Sequence, residues 1–111
     1  MPMAAILLID VRETLSSELV QFLRSRQHTV SVCPTVGAAI KDLRANRPSY
    51  DVVILNMSHN HATDWKTLEE IHQFLQFNPT APPILCLSTV YWGPRMQLDI
   101  ERKGARFVCL Q

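Results

Sequence analysis

Four short runs, residues 4–9, 52–55, 84–87 and 107–110, are almost wholly apolar. Each has the length of a β-strand, and a strand apolar at successive positions must be covered on both faces, as in a parallel sheet. A fifth run, Thr29–Cys33 (TVSVC), alternates polar and apolar residues instead. That pattern predicts a half-exposed strand at a sheet edge. Between the runs the period becomes helical. Leu15, Leu19, Phe22 and Leu23 fall at i, i+4, i+7 and i+8, one core-facing stripe of a helix over about residues 13–26. Val36, Ile40 and Leu43 repeat the spacing behind Thr35, a suitable N-cap. Leu68, Ile71 and Leu75 mark a third helix that ends before Asn78-Pro79. A fourth starts at Pro94, which suits a first helical position, and stops at Gly104, although Met96, Leu98 and Ile100 alternate rather than keep a 3.6 period.

The order is β-α-β-α-β-α-β-α-β. Strict alternation with short connections implies parallel strands, right-handed crossovers and helices on both faces, an open doubly wound α/β sheet. Pro79, Pro82 and Pro83 shape the loop before the fourth strand. With 111 residues, 47% of them apolar, the chain makes one domain, residues 1–111, with a core that needs no disulfide or metal.

Charge narrows the function. Eleven basic residues face ten acidic ones, balanced in both halves of the chain, so direct nucleic-acid or membrane-surface binding is not expected. The longest apolar stretch is seven residues, too short to span a membrane, and it has no basic flank before it and Asp10 directly after. Cys33, Cys86 and Cys109 form no CxxC pair, and Cys86 and Cys109 are expected to pack as small hydrophobes on neighbouring strands. The expectation is a reduced, cytoplasmic protein. His59 and His61 make an HxH with Asp64 nearby, but no fourth ligand stands at useful spacing. Solvated loop histidines are the favoured reading over a metal site. His28 and His72 fall at polar helix or turn positions and carry no signal.

Open parallel sheets bind ligands outside the carboxyl ends of their strands. The residues there are Asp10-Val11-Arg12, Asn56-Met57-Ser58, Ser88-Thr89 and Gln111. No G-x-G-x-x-G, G-x-x-x-x-G-K-[ST] or nucleophile–base pair is present.

In order and spacing, ILLID (6–10), VVILN (52–56), PILCLST (83–89) and GARFVCL (104–110) resemble the receiver domain of two-component response regulators. LSSELVQFL (15–23) and DWKTLEEI (64–71) are similar to that family's first and third helices. The resemblance implies a three-layer flavodoxin-like (CheY-like) fold, five strands in the order 2-1-3-4-5. It also implies a receiver-like domain from the N-terminal part of a longer regulator. The family's fifth helix has no counterpart here, so apolar surface near strands 1, 3 and 4 is expected to lie open. Such domains take a phosphoryl group from a histidine kinase onto an aspartate ending strand 3. An acidic pair after strand 1 helps hold Mg²⁺, a Ser or Thr after strand 4 binds the phosphoryl group, and a Lys after strand 5 pairs with it.

Carried over residue by residue, the site is degenerate. Asp10 matches the first acid, but Val11 stands at the second. Asn56 stands at the phosphoacceptor position, Ser88 keeps the hydroxyl, Gln111 replaces the lysine, and Val108 replaces the switch aromatic of strand 5. An amide is a poor nucleophile, and Mg²⁺ favours charged oxygen ligands, so weak or absent Mg²⁺ binding and no other cofactor are expected. Asp10 is then either a surviving ligand or an N-cap for the first helix, with Arg12 placed to neutralise it. The reading is a non-enzymatic pseudo-receiver, possible as a homodimer and acting on a protein partner or a fused output domain, for example in transcription regulation. A histidine kinase partner is implied only if phosphorylation survives. Tyr91 and Trp92, with Val108, are the candidate interface on the helix 4–strand 5 face. The alternatives are a receiver phosphorylated at Asp10 or Ser88, and a ligand-binding or enzymatic flavodoxin-like domain.

Overall fold

The computed structural model describes residues 3–10, 16–45, 50–57, 61–76, 81–88 and 93–109. Nine elements follow in strict alternation. They are β1 (Ala5–Ile9), α1 (Ser16–Ser25), β2 (Thr29–Cys33), α2 (Val36–Ala45), β3 (Val52–Asn56), α3 (His61–Leu75), β4 (Ile84–Ser88), α4 (Pro94–Arg102) and β5 (Ala105–Cys109). All strand pairings are parallel and the sheet order is β2-β1-β3-β4-β5.

Side-chain alternation along the strands divides the core in two. Leu7, Ile9, Val53, Leu55, Ile84, Cys86 and Ala105 face one side, where Ala39 of α2, Leu68, Ile71 and Leu75 of α3, and Ile100 of α4 cover them. Ile6, Leu8, Val30, Ile54 and Leu87 face the other, against Val20, Leu19 and Leu23 of α1. Among the described residues, three helices therefore cover one face and a single helix the other. The open surface expected near strands 1, 3 and 4 is smaller than anticipated: Ile6, Leu8, Ile54 and Leu87 are buried. Among the described residues, Ala4, Val52 and Leu85 are half-buried there, and Val108 on β5 is 40% exposed.

Caps and turns follow local chemistry. The Thr35 hydroxyl accepts the Ala38 N–H at 3.1 Å, capping α2 as its position predicts. Pro94 opens α4 behind Gly93. After α4 the Gly104 N–H donates to the Glu101 carbonyl at 2.9 Å, and its φ of 81° suits a residue without Cβ.

Two sequence expectations need correction. β5 is not an all-apolar strand over 107–110 but starts at Ala105 and alternates between covered and open positions. It is a sheet edge with one helix layer, so only one side of it needs to be apolar. Phe22, assigned to the core stripe of α1, is 55% exposed, because Leu19, Val20 and Leu23 fill the inward face and leave it on the flank.

Candidate functional site

The strand ends assemble a compact polar cluster. Register aligns Leu8 with Ile54 and Ile9 with Leu55, which makes Asp10 and Asn56 the next neighbours along β1 and β3. Their side chains meet: Asn56 Nδ2 donates to Asp10 Oδ1 at 2.9 Å in a buried hydrogen bond. The backbone fixes both. The Asp10 N–H donates to the Cys33 carbonyl at 3.1 Å, and the Met57 N–H to the Leu87 carbonyl at 2.7 Å, so each ladder runs one residue past its strand. Asp10 and Ser88 are fully buried and Asn56 nearly so. Every buried side-chain N or O atom among the described residues has a hydrogen-bond partner, as burial without a partner would cost a few kcal/mol.

This arrangement decides what the strand ends offer. A carboxylate at position 56 would present only acceptors, and two such groups so close require a cation or a shared proton. The amide supplies its own donor instead and turns a repulsive pair into a hydrogen bond to a carboxylate. Bonds to charged groups contribute about 1.5–3 kcal/mol each. Asn56 directs N–H, not oxygen, at Asp10. Among the described residues, no three His, Cys, Asp or Glu side chains are grouped to hold a metal ion.

The other predicted positions fall in different places. Ser88 stands at the end of β4, in register with Cys109 on β5. Val108 points to the α1 side of the sheet, whereas its neighbour Phe107 packs half-buried against the opposite core. Val11, Arg12, His59, Tyr91, Trp92 and Gln111 lie outside the described residues. His61 and Asp64 are not in a loop: they sit in the first turn of α3, where Asp64 is buried. The three cysteines are free thiols, and Cys86 and Cys109 face Phe107 and Ser88 rather than each other. Burial pushes the Cys86 thiol up to about 12, so it is not a thiolate at neutral pH.

Four polar contacts escaped the sequence reading. Tyr50 donates its hydroxyl to Asp42 Oδ2 at 2.8 Å, and the Cys33 thiol lies 3.9 Å from the same oxygen, tying α2 to β2 and to the entry of β3. Burial and the Asp42 carboxylate raise the pKa of Cys33; burial is also the main cause of the rise at Tyr50. At the starts of the strands, His28 Nδ1 accepts the Ala4 N–H at 3.1 Å, and Asp51 Oδ2 accepts the Ala5 N–H at 2.7 Å. An isolated Tyr, His or Asp outside an element carries no pattern that would disclose such partners.

No protein-family model matches the chain, and no curated protein matches it. Solved structures do. The Vibrio cholerae chemotaxis protein CheY4 superposes with a TM-score of 0.76 at 20% identity, over 98% of this chain and 88% of its own. A two-component response regulator from Clostridium difficile gives 0.74 at 18% identity, over 96% and 83%. The response regulator TrrA from Thermotoga maritima, solved with Mg²⁺ and a beryllofluoride group, gives 0.71 at 19% identity, over 98% and 88%. The fold is therefore that of response regulator receiver domains, the CheY-like form of the flavodoxin-like α/β class.

Proposed function

We propose that this chain is a receiver-type module of two-component signal transduction that works without phosphorylation at its strand-end site. The observation that carries the reading is the buried Asn56–Asp10 hydrogen bond at the position where the resemblance implies an aspartyl nucleophile. An amide nitrogen, its lone pair delocalised into the carbonyl, does not attack phosphorus, and here its N–H is committed to a carboxylate. Mg²⁺ binding is weak or absent, because one of the oxygens that would hold it is replaced by a donor.

In this reading the domain is not an enzyme but a protein-interaction module, cytoplasmic, coupled to a partner protein or an output domain. Partner binding sets its conformational state, since a ligand shifts an equilibrium by its differential affinity for the two states. Val108, exposed on the β5 edge, is the partner surface offered by the described residues, Tyr91 and Trp92 being candidates by sequence alone, and a histidine kinase is dispensable. Incubation with acetyl phosphate and Mg²⁺, followed by intact-mass measurement, tests this directly. No phosphoryl adduct is expected at any time point; a stoichiometric adduct on any residue overturns the reading.

A further inference from the structure

β2 and β5 are the two edges of the sheet. An edge strand presents a row of unpaired N–H and C=O groups to which another strand can add. β5 carries its own deterrent, the exposed Arg106. β2 carries none: its residues, TVSVC, include no charge and no proline. Val32 on it is an apolar side chain 36% exposed. An uncharged, β-branched, proline-free strand is the composition that invites strand addition.

The ladder to β1 fixes which backbone groups of β2 face outward. The Thr29 N–H donates to the Ala4 carbonyl at 2.9 Å, and the Cys33 carbonyl accepts the Asp10 N–H at 3.1 Å. Alternate residues of a parallel strand bond to the same neighbour, so Thr29, Ser31 and Cys33 turn their backbone groups to β1. Val30 and Val32 turn theirs to the open side. Arg24, in the last turn of α1, comes down onto that side: its Nη2 donates to the Val30 carbonyl at 3.0 Å. The guanidinium therefore occupies one outward acceptor and sets a cation where an incoming strand would lie.

The strand that fits this edge once Arg24 is withdrawn is a second copy of β2. In an antiparallel pair about a two-fold axis at Ser31, Val30 of each copy stands opposite Val32 of the other, and each such pair exchanges both of its N–H···O bonds. The two sheets then continue edge to edge in one layer, and no charge on either β2 opposes the pairing. With Arg24 in place, the same pairing must break an Arg24–Val30 bond in each copy and enclose two like charges in the seam.

We propose that Arg24 is a latch on the β2 edge: its bond to the Val30 carbonyl closes that edge to the β2 strand of a second copy. The latch lies away from the β5 partner surface, and it holds whether or not the strand-end site accepts phosphate.

Sedimentation of the full chain and of Arg24→Ala over one concentration series tests it. The variant is expected to pass from the mass of the 12.7 kDa monomer to twice that value at concentrations roughly ten-fold or more below those the parent needs. Amide exchange locates the contact. The outward Val32 N–H is bonded across the seam in the paired form, so it is expected to exchange about ten-fold or more slowly in associated Arg24→Ala than in the parent. A variant that is only less stable would exchange faster. Arg24→Ala/Val32→Pro removes that donor without touching a bond to β1, and is expected to return to the behaviour of the parent. Arg24→Ala/Val32→Lys, which puts a charge on the edge, is expected to do the same and serves if the proline variant does not fold. Far-UV circular dichroism establishes that each variant is folded. An Arg24→Ala chain whose mass follows the parent's throughout overturns the latch. So does association that leaves Val32 exchange unchanged, or that survives the Val32 changes.

Discussion

At Asn56 one change of atom, amide nitrogen for carboxylate oxygen, determines how the strand ends are held together. The donor it contributes satisfies Asp10 from within the chain. Asn56→Asp removes that donor and leaves two buried carboxylates side by side. The expected cost is about 3–5 kcal/mol at neutral pH, the range for a buried charge deprived of its partner. The sign with pH follows: mutual repulsion raises the carboxyl pKa in the folded state, so the penalty is present above that raised value and is relieved as pH falls through it. Millimolar Mg²⁺ should restore stability to the variant and leave the parent chain unaffected. Urea denaturation with and without the ion checks this; equal stability of the two chains, or no response of the variant to Mg²⁺, contradicts it. Buried acids of the opposite kind govern the alkaline limb. Cys86 is shifted from its ordinary 9.0 to about 12 by burial, and Cys33 and Tyr50 are also raised. Their contribution is complete below the unfolded-state values and is lost as pH climbs towards the folded ones. Urea midpoints should therefore fall from about pH 9 upward, and Cys86→Val should flatten part of that fall. A midpoint constant up to about pH 11 would contradict the assignment.

At the scale of elements, local pattern was informative wherever packing demanded one type of residue. Strand β1 is wholly apolar, and β3 and β4 are apolar up to their polar last residues Asn56 and Ser88, because both faces are covered, and all three were legible as central strands. β2 was legible as an edge through its alternation. β5 is also an edge, yet its five apolar letters at 107–110 and Ala105 disguised the exposed Arg106 and Val108, so its start was misplaced by two residues. Phe22 was misassigned for a related reason: a stripe drawn at i, i+4, i+7 and i+8 does not distinguish the centre of a helix face from its rim. Caps were easier to find, since they need one residue type at one position. Thr35→Ala, which deletes the hydroxyl that accepts the Ala38 N–H, is expected to lower stability by about 1 kcal/mol with the fold unchanged. Thermal denaturation checks it, and an unchanged midpoint would show that the cap is energetically idle.

For the molecule as a whole, alternation of short apolar runs with helical segments leaves few topologies, and the sheet order matches the one expected. The strand-end positions of Asp10, Asn56 and Ser88 were legible because a parallel sheet carries its chemistry at one edge. Their mutual contact was not, since it depends on the register between strands 46 residues apart in sequence. The Asp42–Tyr50–Cys33 cluster was hidden because an isolated Tyr ahead of a strand carries no pattern that discloses its partner. The proposal made above rests on a receiver-like fold with the buried Asn56–Asp10 hydrogen bond at its strand ends. The most direct test is a ¹H–¹⁵N correlation spectrum of the uniformly labelled chain, titrated with Mg²⁺ and beryllofluoride, an analogue of a bound phosphoryl group. The account predicts that the Asn56 side-chain amide and the backbone signals of Asp10, Met57 and Ser88 stay in place through the titration. Saturable shifts clustered at those strand ends would contradict it.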